Sequence, residues 1–204
     1  KQVEAWLLLI GGEISFGQQA YFAFGAYGGG IATAVWGWPF PLALLWGAGL
    51  GAGVGALVAW PAARLSGVHY AIATLAFAEL TRASLNVFRY QRDVDGYLTG
   101  PDGANGFGDI RWVYETGIAP GTYLALIAGL LFAVITAIAL ASRFNLLAQL
   151  RMVGEDPILA GMQGLRVLRW KVGAAAAVGA IAGLGGGLYA HLATYVEPAQ
   201  FSVM

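Results

Sequence analysis

The sequence predicts an all-α, polytopic transmembrane helical bundle with a broken or re-entrant first helix. Apolar residues make up 58% of the 204-residue chain and charged residues only 11%, whereas soluble domains have about 25% charged residues. The apolar stretches are long enough to cross a bilayer core of about 30 Å as helices, and too long for barrel strands. The 31 glycines, several of them four residues apart, are typical of closely packed membrane helices.

The first apolar region, residues 3–36, is too long for one span, because a straight helix of that length would measure about 51 Å. Its middle, residues 11–19, is polar and rich in glycine. Two half-helices or a re-entrant turn therefore fit better than one rod. Irregular backbone at membrane depth occurs where protein or water covers it, as in transporter sites.

Four further apolar regions follow and are predicted as membrane spans. They cover residues 41–63, 68–88, 118–141 and 172–195. Glycines repeat every four residues in the second and last regions of the chain, where they predict close approach of the helices. These glycines are Gly47, Gly51 and Gly55, and Gly179, Gly183 and Gly187.

The two long polar loops differ in charge. Residues 89–117 are rich in acidic side chains, whereas residues 142–171 are rich in basic ones, including Arg143, Arg151 and Lys171. Basic residues concentrate on the cytoplasmic side of membrane proteins. We therefore expect residues 142–171 in the cytoplasm and residues 89–117 outside.

The cytoplasmic loop contains a helix-start signal. Asp156 is suited to the N-cap and Pro157 to the first helical position, and apolar residues follow at helical spacing. This pattern predicts a short amphipathic helix over residues 156–166, a surface on which another protein can act. The alternative is a helix that lies on lipid headgroups. The residues expected at this surface are Glu155, Asp156, Ile158, Met162 and Leu165.

Polar residues within the apolar regions are the candidates for a substrate pathway. Together with a freed helix end, they could bind the ammonium and carboxylate of a zwitterion. The alternative is that they satisfy the hydrogen bonds of unwound backbone. The candidates are Glu13, Ser15, Gln18 and Gln19 in the first region, and Thr74 and Glu79 in the third.

Glu79 and Arg82 lie three residues apart in the third region. Ionisable residues inside a membrane are costly, usually pair, and face the bundle interior. This pair is expected to be part of a pathway or gate, or else an ion pair that locks helices together.

Several chemistries are excluded or disfavoured. The chain has no G-x-x-x-x-G-K-[ST] loop, so ATP would have to be bound by a separate subunit. It has no cysteine and no G-x-S-x-G motif, which removes thiol catalysis and a typical serine hydrolase. His69 and His191 lack companions at ligand spacing, so both are expected at the membrane interface rather than on a metal. A net charge of zero gives no indication of a nucleic-acid partner.

Several blocks of the chain resemble, in the same order, the LivM-type permease subunit of bacterial branched-chain amino acid ABC importers. The blocks are GQQAYFAFGAY at 17–27, YAIATLAFAEL at 70–80, LTGPDGANG at 98–106, and GLYA at 187–190, with Glu155-Asp156 and Trp170-Lys171 in the cytoplasmic loop. The chain departs from the family pattern at Gly154, Pro157 and the Pro101-Asp102 pair. Related permeases transport urea or short amides, so the departures leave the substrate open.

The resemblance implies a transport subunit that is not an enzyme and has no cofactor of its own. Its expected partners are two cytoplasmic ATPase subunits that bind ATP, a second permease subunit, a periplasmic substrate-binding protein and membrane lipid. It implies a multi-pass protein of the bacterial inner membrane that imports leucine, isoleucine or valine. Residues 1–204 are expected to form a single permease domain, truncated at both ends, whose cytoplasmic loop fits a cleft in the ATPase.

Two other functions remain open. In a proton-coupled secondary transporter, Glu79 or Glu13 would bind the coupling proton. A membrane enzyme ranks third, because no convincing catalytic group of residues is present.

Overall fold

The computed structural model describes residues 15–63, 65, 67–94, 96–112, 116–117 and 120–201. The helices are α1 (Gln18–Ala34), α2 (Phe40–Ala62), α3 (Val68–Val87), α4 (Pro120–Arg143), α5 (Leu146–Glu155), α6 (Pro157–Met162) and α7 (Val167–Ala193). Short 3-10 helices cover Gly103–Asn105 and Pro198–Phe201. The predicted all-α architecture is confirmed. A small antiparallel hairpin of β1 (Arg92–Val94) and β2 (Tyr97–Thr99) was not predicted.

Three of the described helices are long and apolar enough to cross a membrane. They are α2, α7 and the segment Gly121–Arg143 of α4. The first described helix, α1, has 17 residues and is therefore about 26 Å long. Ser15 to Gly17, just before α1, are not helical. The predicted broken or re-entrant first helix also needs the residues before 15, which lie outside the described residues, so it stays a prediction.

Helices α1, α2 and α7 form the centre of the bundle and approach one another through glycine. A Cβ atom at Gly51 would collide with the carbonyl oxygen of Gly179, and one at Gly179 with that of Gly51. Gly183 meets the backbone of Gly25 and of Gly47 in the same way. The close approach predicted from the glycine repeats is therefore confirmed. At these points the helices touch backbone to backbone.

Helix α3 packs against α1 and the external loop along one face. Its buried residues recur at helical spacing and are Tyr70, Thr74, Ala78, Thr81 and Leu85. By contrast, no residue of the most apolar window of α4 is buried. The outer end of α4 is tied to α7, because the Tyr123 hydroxyl donates a hydrogen bond of 2.7 Å to the Leu188 carbonyl. Further in, an apolar groove of about 630 Å³ separates α4 from α5 and α7.

The loop after α3 and the segment after α7 lie together at one end of the bundle. Phe107 and Val196 exchange two backbone hydrogen bonds of 2.7 and 2.8 Å, and the Tyr195 hydroxyl donates to the Asn105 carbonyl. The other end holds α5, α6 and the start of α7. The loops predicted to be external and cytoplasmic therefore lie at opposite ends of the bundle. Their sides of the membrane stay a prediction, and we use the two names below as labels for the two ends.

Three glycines hold the external loop in shape. Gly100, Gly103 and Gly106 all have positive φ, which side-chain-bearing residues rarely adopt. At Gly103, φ is +58° and a Cβ atom would lie 2.7 Å from the Asn86 carbonyl oxygen. The LTGPDGANG block therefore owes its glycines to backbone geometry.

Replacing Gly103 with alanine is expected to loosen the external loop from the end of α3. A left-handed alanine costs about 1–2 kcal/mol, and the contact with Asn86 adds to that cost. Thermal unfolding and limited proteolysis of the loop would measure the effect. Gly108→Ala is the matched control, because its Cβ would meet only the Tyr195 ring at 3.6 Å and its φ is not positive. Equal behaviour of the two variants would contradict the prediction.

The cytoplasmic end contains one helix more than predicted and a shorter α6. Helix α5 buries Leu150 and Val153 against its neighbours. Helix α6 ends at Met162, whereas the sequence predicted a helix up to residue 166. The reason is a glycine-ended turn: Gly164, with φ of +86°, donates to the Gly161 carbonyl, and Leu165 donates to Ala160. The placement of Leu165 on the helix was therefore wrong.

Candidate functional site

The backbone before α1 is fixed by a side chain of α3. Thr74 is fully buried, and its hydroxyl accepts a hydrogen bond of 3.1 Å from the Phe16 amide. The same hydroxyl donates to the Ala71 carbonyl at 2.9 Å. Thr74 therefore satisfies an amide that no helix supplies with a partner.

A small polar cluster surrounds the start of α1. The Ser15 hydroxyl accepts a hydrogen bond of 3.2 Å from the Gly17 amide, and a Cβ at Gly17 would lie 3.0 Å from the Tyr21 hydroxyl. The side-chain oxygen of Gln19 is buried without a hydrogen-bond partner among the described residues. Gln18 is half-buried next to it in sequence, and Glu13 lies outside the described residues.

This cluster lies inside the bundle rather than at its end. Thr74 is six residues from Val68, the start of α3, which corresponds to about 9 Å of helix. Because the Thr74 hydroxyl contacts the Phe16 amide, α1 begins at a similar level. The partial positive charge of the α1 N-terminus therefore lies beside these polar side chains.

The Glu79–Arg82 pair lies apart from this cluster. The Arg82 Nε and Glu79 Oε2 atoms are 2.9 Å apart, and the two side chains are 35% and 43% exposed. The Asn86 side chain extends the same flank of α3 by donating to the Arg82 carbonyl. Thr74, Ala78 and Thr81 occupy the face of α3 that packs on the rest of this chain, so the pair lies on the flank of the helix. Its expected place facing a bundle interior stays a prediction.

At the cytoplasmic end, α6 presents apolar side chains to its surroundings. Ile158 is 74% exposed and Met162 82% exposed, and Leu159 beside them is exposed as well. We call these three residues the α6 apolar face. Leu165 follows the helix and is half-buried.

The two acidic residues before α6 have structural partners. A carboxylate oxygen of Asp156 accepts hydrogen bonds of 2.9 Å from the amides of Ile158 and Leu159, which confirms the predicted N-cap. Glu155 pairs with Arg151 at 2.9 Å on the surface of α5. These contacts fix the start of α6 and leave its apolar face free of internal packing.

His69 is exposed, whereas His191 is fully buried between helices. The predicted place of both histidines at the membrane interface stays a prediction. The His191 Nδ1 donates a hydrogen bond of 2.6 Å to the Gly187 carbonyl, and the His191 Nε2 lies 2.9 Å from the Thr33 hydroxyl. In the neutral ring, Nε2 is the acceptor of the Thr33 proton. The ring also meets the edge of Phe40. These partners join α1, α2 and α7, and no local sequence pattern indicates them.

Comparison with known proteins bears on this arrangement. Residues 5–204 match the sequence profile of the family described as branched-chain amino acid transport system, permease component. No curated protein and no solved structure matches the chain. The match covers nearly the whole sequence and agrees with the apolar helices α2, α4 and α7. The resemblance to LivM-type permeases is thereby confirmed, and the chain belongs to the family of membrane permease components of branched-chain amino acid transport systems.

Proposed function

We propose that this permease imports branched-chain amino acids by alternating access, driven by two separate cytoplasmic ATPase subunits that bind ATP. The observation that supports ATP coupling best is the α6 apolar face. Ile158, Leu159 and Met162 are exposed on a six-residue helix at the end of the molecule that is rich in basic residues. An exposed apolar cluster on a membrane protein's cytoplasmic loop is suited to a protein partner.

Helix α6 is well placed to transmit a force. Its first turn is capped by Asp156 and its last turn is closed by Gly164, so it is held at both ends. Ala160, on the side opposite the exposed residues, is fully buried. Through α5 it is connected to α4, and through Arg166 to α7. A movement of the ATPase would therefore reach two membrane helices at once.

The proposed substrate pathway involves the start of α1 and the flank of α3. Glu79 and Arg82 lie in the middle part of α3 and are half-exposed, and charged groups at membrane depth do not face lipid. A water-filled pathway, closed on its other side by a second permease subunit, would cover them. A zwitterionic substrate could exchange with the pair, its ammonium at Glu79 and its carboxylate at Arg82. The periplasmic binding protein would then deliver substrate at the end formed by the external loop.

A single cysteine at Met162 tests the coupling, because the chain has no cysteine of its own. In bacterial membranes containing the partner subunits, the Met162→Cys variant is expected to cross-link to the ATPase, and ATP is expected to change the yield. Ala148→Cys is the control, since Ala148 is exposed on α5 on the side away from buried Leu150. Absence of any cross-link at Met162, with its thiol still labelled from the cytoplasm, would argue against ATPase coupling.

A proton-coupled secondary transporter is the second candidate, and the half-exposed carboxylate of Glu79 favours it. The ion pair with Arg82, 2.9 Å away, counts against it, because the carboxylate already has a partner within this chain. Uptake that is abolished by a protonophore and needs no ATPase would support this alternative.

A further inference from the structure

A groove of about 700 Å³ opens at the external end of the bundle, where the sequence predicted no site. It lies between the end of α1, the β-hairpin and the segment that leads towards α4. We call it the external groove. The residues that define it are Thr33, Trp36, Tyr97, Asp109, Arg111 and Trp112.

The rim of the external groove holds two opposite charges side by side. The Arg111 Nη2 and Asp109 Oδ1 atoms are 2.6 Å apart, and both side chains are about half-exposed or more. Asp109 has a φ of +63°, a left-handed conformation that aspartate adopts more readily than most residues with side chains. Ile110 between the two charges is fully buried and anchors the segment.

The walls of the groove are aromatic. Trp112 stacks on Phe40 with ring centroids 4.6 Å apart and an interplanar angle of 10°, so its orientation is fixed. Trp36 is held from the other side by its hydrogen bond to the Tyr90 hydroxyl. The floor includes Thr33, whose hydroxyl contacts the buried His191. The groove thus joins a charged rim to apolar walls, and its floor reaches the buried centre of the bundle.

We infer that the external groove is an outer substrate site that takes a zwitterionic amino acid with an apolar side chain, an inference that rests on the proposed function. Arg111 would bind the carboxylate and Asp109 the ammonium, with the side chain against Trp36 and Trp112. Exposed ion pairs contribute only about 0–1 kcal/mol, so a ligand of complementary charges can replace the Asp109–Arg111 contact at little cost. The cytoplasmic pair Arg151–Glu155 is equally exposed but borders neither of the two grooves described, so it offers no comparable site.

Protection of a single cysteine tests the inference in the purified full-length protein. Ala34 lines the groove, whereas Ala104 is exposed on the external 3-10 helix outside it. In detergent solution, the Ala34→Cys and Ala104→Cys variants would be labelled with a hydrophilic thiol reagent. With leucine at about four times its Kd, occupancy should slow labelling of the Ala34→Cys variant about fivefold and leave the Ala104→Cys variant unchanged. Val94→Cys, which is half-buried and also in the groove, serves if Ala34→Cys does not fold.

Two sets of controls decide what is recognised. Leucine without its amine (4-methylpentanoate) and leucine without its carboxylate (3-methylbutylamine) are expected to protect less than leucine. Asp109→Asn or Arg111→Gln, added to Ala34→Cys, is expected to remove the protection. The inference is overturned if leucine protects no groove cysteine, or if both analogues protect as well as leucine.

The proposed function has its own readout in the Met162→Cys cross-link. Leucine protection without that cross-link would uphold the external groove and reject ATPase coupling. The cross-link without leucine protection would reject the groove alone.

Discussion

A Gly51→Val variant is expected to lose the folded bundle, whereas Gly53→Val in the same helix is expected to keep it. A side chain at Gly51 meets the Gly179 carbonyl, which is backbone and cannot move aside without separating α2 from α7. Nothing lies within 4 Å of a Cβ at Gly53. Overpacking usually costs about 1–3 kcal/mol, and a clash with backbone is expected at the upper end of that range or above.

The comparison is matched in helix propensity, because both variants place the same β-branched residue inside α2. Monodisperse yield in detergent and the midpoint of thermal unfolding measure the difference. If the two variants melted together, the contact between α2 and α7 would not be the one described.

Replacing Glu79 with glutamine is expected to lower uptake of branched-chain amino acids at least about tenfold, the equivalent of 1.4 kcal/mol. The change leaves the Arg82 guanidinium at membrane depth without its carboxylate partner, 2.9 Å away in the present structure. Uptake into proteoliposomes with the partner subunits measures the loss, and folded yield is followed in parallel. Asp102→Asn is the control, because that carboxylate also pairs with an arginine, Arg89, but lies in the loop after α3, away from the proposed pathway.

A charge reversal then distinguishes the two interpretations of the pair. The double variant Glu79→Arg/Arg82→Glu restores the ion pair with opposite polarity, and the half-exposed flank leaves room for it. If the pair binds substrate, folded yield is expected to recover while uptake stays low. Recovery of uptake would mean that the pair only locks helices together.

The parts of the fold that the sequence predicted correctly depend on local patterns. The length of the apolar stretches predicted α2, α4 and α7. The four-residue spacing of Gly47, Gly51 and Gly55 indicated which face of α2 meets another helix. Asp156 followed by Pro157 predicted the start of α6, because helix capping depends on residues that are neighbours in sequence.

Other features could have been found by the same reasoning. Gly164 followed by Leu165 is the usual signal of a glycine-ended helix, and it places the end of α6 before residue 166. Leu146, Leu147, Leu150 and Val153 have the spacing of an amphipathic helix, which is α5.

The remaining features depend on contacts between distant residues. His191 is buried because Thr33, 158 residues earlier, provides a partner for its second nitrogen. Glu79 lies on the flank of α3 because another face of that helix packs on α1. The sequence of α3 alone does not determine which face packs. The external groove likewise needs the end of α1, the hairpin and Asp109 to meet.

The loose attachment of α4 has a mechanical consequence. Stiffness in this molecule is concentrated where α1, α2 and α7 touch through glycine, and there a tilt of one helix would drive backbone into backbone. Helix α4 is fastened near its outer end by Tyr123 and at its inner end by α5, with an apolar groove between it and α7. We therefore expect α4 to tilt about its outer end more easily than α1, α2 or α7 can tilt against one another. If the proposed ATPase acts through α6, α4 is the helix that it would move with the least force.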